Sequence, residues 1–120
     1  MTRPLRQTIG AHYGWKDWLV QRVTAVIMVL YTLWILGIAL YHGGIDYPLW
    51  RSLFADGAFR IATLLFGLAI LWHAWIGVRD IWMDYIKPTA LRLTLEVVTF
   101  VVLIAYAAWL AQMLWAARPA

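Results

Sequence analysis

The chain has 120 residues, of which 64% are hydrophobic and only 13% charged, with nine tryptophans, six tyrosines and no cysteine. A soluble domain carries about twice that charged share. The balance describes an integral membrane protein with a single domain over residues 1–120, its rings suited to the headgroup level of a bilayer. It excludes disulfides, thiolate-held iron–sulfur clusters, Cys-rich zinc sites and a covalently attached c-type haem. The net charge of +4 lies in residues that flank apolar runs, where orientation signals belong, so no nucleic-acid partner is expected.

In chain order, the first twenty residues are polar and lack a continuous apolar stretch, so no cleavable signal peptide is expected. The first apolar run is Val23–Tyr41. Next comes HGGIDYPLWRSLFADGAFR, whose Gly43-Gly44 and Pro48 are helix breakers that mark a loop. The second run starts at Ile61 and is apolar to Val78, its helix continuing to about residue 83. Pro88, after Lys87, ends that helix. Thr89–Glu96 leads into the third run, 97–117. The uncharged runs are 18 to 21 residues long, close to the roughly 20 that a helix needs to cross hydrocarbon. None shows the alternation of a barrel strand. The expected fold is all-α, with three transmembrane helices at about 23–41, 61–83 and 97–117.

Lys and Arg set the orientation. The N-terminal tail and the second loop hold Arg3, Arg6, Lys16, Arg22, Arg79, Lys87 and Arg92; the opposite side holds Arg51, Arg60 and Arg118. Seven against three places the N-terminus in the cytoplasm.

His73 is the only histidine inside a span, and an intramembrane ionisable residue is a functional hypothesis by default. Three readings are open for it: a hydrogen bond between helices, a cofactor ligand or a proton relay. Gly77, one turn later on the same face, leaves room beside the imidazole for something flat and wide. At roughly 100° per residue, Asp80 and Asp84 fall about 20° to either side of the same direction. A haem held by two histidines would need a second imidazole. His12 and His42 lie outside the spans on opposite sides, so that ligand must come from another subunit, either a symmetry mate or a different chain; in the second case the chain is one part of a heteromeric helix bundle. Nulls stand beside these readings: Asp80 paired with Arg79 or Arg92, Asp84 paired with Lys87, Tyr85 as an interfacial anchor, and Arg22 as an orientation charge.

The segment HAWIGVRDIWMDYIKP resembles the hallmark of the D-type hydrophobic membrane anchor of succinate dehydrogenase (respiratory Complex II). The family pattern is approximately H-A-x-x-G, then D-Y and a nearby Pro. Here it is His73-Ala74-Trp75-Ile76-Gly77, Asp84-Tyr85 and Pro88. An R-x-T-A element opening the first helix is matched by Arg22-Val23-Thr24-Ala25. The resemblance implies that His73 is an axial ligand to haem b iron, with the other histidine on a C-type anchor, and that Gly77 packs against the haem. It implies that Tyr85 hydrogen-bonds ubiquinone with Asp84 beside it, and that Arg22 lies near the haem propionates or the quinone. It also implies a flavoprotein subunit with FAD and an iron–sulfur subunit with the clusters, both docked on the cytoplasmic face of a bacterial inner membrane. Succinate is oxidised to fumarate in such an assembly and ubiquinone is reduced. The family's N-terminal tails vary, and His12, Lys16 and His42 carry no assigned role. An anchor of a quinol:fumarate reductase, a non-redox scaffold subunit and a proton-translocating component are the rival readings.

Overall fold

The structure is a computed structural model. It describes the backbone of residues 4–116 and the side chains of residues 14–116, so Arg3, Arg6, His12, Ala117 and Arg118 fall outside the described side chains. The described chain is helical throughout: α1 spans Pro4–His42, α2 Tyr47–Ala55, α3 Gly57–Tyr85 and α4 Thr89–Ala116. α1, α3 and α4 are each long and apolar enough to cross a membrane, which makes this a multi-pass membrane protein with the three expected spans. Each helix outruns its apolar run, because helix formation continues through the charged flanks. α1 has 39 residues, nearly twice the roughly 20 needed for the hydrocarbon.

The breaks follow from local chemistry. Gly43 and Gly44 take φ values of +69° and +126°, and the Gly44 N–H reaches back to Ala39 O at 2.7 Å, closing α1 with a left-handed turn suited to glycine. The segment read as loop from Gly43-Gly44 and Pro48 contains α2. Its Pro48 sits in the first helical turn, where a missing N–H costs nothing. Asp46 caps that helix by accepting a hydrogen bond from Leu49 N at 3.0 Å. Asp56 then serves both neighbours. Its N–H closes α2 on Leu53 O at 3.2 Å, and its carboxylate accepts from Ala58 N at 3.4 Å to open α3. Pro88 ends the second span as expected. Ile86 is already extended as the C-cap of α3, and the Pro88 carbonyl accepts from Arg92 N at 3.0 Å as α4 begins.

α3 is the central element: α1 and α4 pack on it, and α2 folds against its start. The beginning of α1 and the α3–α4 turn share one end of the bundle, since Lys16 and Asp17 border a cavity with Arg79, Asp80, Arg92 and Glu96. At the other end an aromatic cluster joins α1, α2 and α3. Tyr31 stacks on Phe66 with centroids 4.3 Å apart, and Phe59 meets Tyr31, Trp34 and Phe54. The α3–α4 approach depends on Gly67, where an added Cβ would collide with the Leu110 side chain. Trp82 Nε1 also donates across that interface to Thr99 Oγ1 at 3.0 Å.

Burial is sparse. Among the described residues only Phe59, Ala69, Ile76, Leu114 and Thr24 are buried, while most large apolar side chains of the spans are exposed. Three helices side by side leave most of each helix surface for lipid or for other chains.

Candidate functional site

The α1–α3 seam carries three polar contacts at a regular step. Asp17 is ion-paired with Arg79. Seven residues along α1, Thr24 Oγ1 lies 3.0 Å from His73 Nδ1. Seven further on, Tyr31 OH lies 2.6 Å from Thr63 Oγ1 while its ring covers Phe66. A seven-residue step is two helical turns, so Asp17, Thr24 and Tyr31 line one face. α3 runs antiparallel and presents Arg79, His73 and Phe66 in reverse order. The Thr63 hydroxyl donates to Phe59 O at 2.9 Å, which leaves Tyr31 as donor to Thr63.

His73 therefore lies at the middle contact, half-buried against α1. Its Nδ1 is engaged by Thr24, and no hydrogen bond to Nε2 is made among the described residues. Gly77, one turn on, has nothing within 4 Å of where a Cβ would stand. The imidazole thus has one occupied nitrogen and one available nitrogen beside a stretch of helix without a side chain. That donor and that open space fit one side of a flat metal-bearing cofactor such as haem. Among the described residues no three His, Cys, Asp or Glu side chains cluster closely enough to hold a metal ion; at this contact they offer the single imidazole of His73.

The other candidates are spread around the end of the bundle that carries Lys16 and Arg79. Asp84 and Tyr85 are exposed, Tyr85 to 76%. They lie eleven and twelve residues beyond His73, roughly 16–18 Å along the helix. Arg22 is exposed and stacks its guanidinium 5.3 Å from the centroid of the Trp18 ring, away from the Thr24 face. The structure groups His73 with Gly77, and brings neither Arg22 nor the Asp84–Tyr85 pair into contact with them. Asp80 lies 3.9 Å from Arg79, but the stronger partner of Arg79 is Asp17, a pairing across helices that the sequence reading lacked. No ion pair to Asp84 or Arg22 occurs among the described residues. Lys16 borders a cavity of about 590 Å³ with Asp17, Arg79, Asp80, Met83, Arg92, Leu93 and Glu96. His42 closes the far end of α1, its Nδ1 3.0 Å from Ile38 O, eighteen residues from Thr24.

Residues 2–109 match the family model for the succinate dehydrogenase/fumarate reductase transmembrane subunit. The chain belongs to that family. Among its relatives, the succinate dehydrogenase hydrophobic membrane anchor subunit of Coxiella burnetii is 41% identical over 105 residues, covering 88% of this chain and 91% of the relative. The subunits of that name from Rickettsia felis and Rickettsia bellii are 34% and 33% identical, each covering roughly three quarters of both chains. This chain is thus a membrane anchor of the succinate dehydrogenase family, a subunit that associates with the bilayer and with the other subunits of such an enzyme. The R-x-T-A resemblance had marked Thr24 without giving it a task. Its contact with His73 could have been sought from the seven-residue spacing of Asp17, Thr24 and Tyr31.

Proposed function

We propose that this anchor serves a succinate:ubiquinone oxidoreductase, with its N-terminus in the cytoplasm of a bacterial inner membrane. It docks the flavoprotein and iron–sulfur subunits, which hold FAD and the clusters, and packs against a C-type anchor that brings the second haem histidine. The observation that carries this reading is the half-buried imidazole of His73, held through Nδ1 and flanked by the open surface at Gly77. The family match and the named relatives support the assembly around it.

Haem b, when bound, supplies one-electron storage beside the quinone site. His73 would hold the iron through a ring nitrogen, Gly77 would leave room on the helix surface for the macrocycle, and Arg22 would place a cation for a propionate or for the quinone. At the cytoplasmic boundary the exposed phenol of Tyr85 donates a hydrogen bond to a quinone carbonyl oxygen. Asp84 stands beside it at the water boundary, where the two protons required by quinone reduction are available. The family description also covers fumarate reductases, and in an anchor of that kind the same residues would serve the reverse reaction.

The deciding experiment is His73→Ala in the purified four-subunit complex, read by visible spectroscopy. The expected result is loss of the reducible b-type band with flavin and iron–sulfur content retained. Unchanged haem in that variant would overturn the reading and leave a packing role for His73.

A further inference from the structure

We propose that Thr24 is a positioning residue that fixes both the ring orientation and the tautomer of His73, leaving Nε2 unprotonated. The inference rests on the reading of His73 as a cofactor ligand and adds a residue to which no role in that site has been given.

Thr24 is the one buried polar residue among the described side chains, at 6% exposure. Its hydroxyl has one proton and two lone pairs. Three groups compete for them: Val20 O at 2.7 Å, Gln21 O at 3.2 Å and His73 Nδ1 at 3.0 Å. The two carbonyls can only accept, and the nearer one, on the preceding turn, is the ordinary acceptor for a helical threonine. With the proton directed to Val20 O, a lone pair of Thr24 Oγ1 faces Nδ1. Nδ1 must then carry the ring proton and donate it. A neutral imidazole has one N–H, so Nε2 keeps its lone pair. The opposite assignment would put an N–H at Nε2 with no acceptor among the described residues, and an unpaired donor in an apolar setting is disfavoured by its lost hydration. The favoured tautomer is the one that binds a metal through Nε2, and a hydrogen bond from the other ring nitrogen also raises the basicity of the ligand. α1 thereby prepares a ligand that α3 carries.

The test compares Thr24→Val, which keeps the shape and loses the hydroxyl, with Thr24→Ser, which keeps the hydroxyl, in the complete complex. His73→Ala is the control. Haem release into excess apo-myoglobin and the reduction potential of the haem are measured. In Thr24→Val, haem affinity should fall by about 10- to 100-fold, as is typical for outer-shell partners, and the potential should rise because the ligand is less basic. Thr24→Ser should match the parent. A Thr24→Val complex with parental haem retention and potential overturns the proposal, while haem retained in His73→Ala overturns the ligand reading itself. The parent complex supplies a check that needs no variant. With ¹⁵N-labelled histidine in the reduced, diamagnetic state, His73 should show a proton bonded to Nδ1; an unprotonated Nδ1 overturns the proposal.

Discussion

Tyr85 shows how much a single residue can be asked to do without any support from its own chain. It is 76% exposed at the end of α3, so replacing its hydroxyl disturbs no packing within the anchor. Tyr85→Phe in the intact complex should reduce succinate:quinone activity severalfold, while succinate oxidation by an artificial acceptor that bypasses the membrane site stays at the parental rate. Equal rates for quinone in both proteins would remove Tyr85 from the quinone site. The placement of Tyr85, Asp84, His73 and Gly77 along one continuous helix was legible in the sequence, because that spacing is countable. Thr24 and Asp17 were not. Their roles depend on which residue of a different helix stands opposite, and that register is set by packing across a separation of 49 residues for Thr24 and His73 and 62 for Asp17 and Arg79.

At the scale of the element, two glycines within α3, Gly67 and Gly77, make opposite demands. Gly67 faces α4, where a Cβ would overlap Leu110 and force that side chain from its rotamer. Gly67→Ala should destabilise the α3–α4 pair by about 1–3 kcal/mol, the usual cost of overfilling a packed contact. The measurement is a lower thermal midpoint of the complex. Gly77 faces nothing within 4 Å among the described residues, and alanine is the better helix former by about 1 kcal/mol. Gly77→Ala should therefore leave helix content unchanged while weakening haem retention, since no described residue stands where the new methyl group would go. Unchanged haem retention would exclude a close approach there. The elements themselves were read well from apolar run lengths and from Pro88. α2 was missed because Pro48 reads as a breaker wherever it stands, whereas the Asp46 cap places it in the first turn, the one part of a helix that tolerates it.

Across the whole molecule, the α1–α3 seam holds its register by spaced polar contacts, joined at one end by the aromatic packing of Tyr31 and Trp34 on Phe59 and Phe66. Its three polar steps, Asp17–Arg79, Thr24–His73 and Tyr31–Thr63, are seven residues apart along α1, so a slip of one turn would separate all three pairs. Each contact in a membrane is worth roughly 0.6–2 kcal/mol. The outermost is partly wet, with side-chain exposures of 26% for Arg79 and 46% for Asp17, and solvent limits it to about 0.2–1 kcal/mol. Asp17→Asn should lower the thermal midpoint of the complex by a few degrees in dilute buffer. The difference from the parent should shrink in 1 M salt, where charges are screened over about 3 Å. A difference independent of salt would mean that the pair acts through shape and hydrogen bonding alone.

The sparse burial of the three spans has a consequence for supply as well as for stability. A chain with so few enclosed side chains leaves most of its apolar surface to be covered by lipid or by other subunits. Made in excess of its partners, it would be an orphan in the bilayer, open to proteases that survey unassembled subunits and able to pair with the wrong helices. The cell is thereby tied to making this chain in step with its companions.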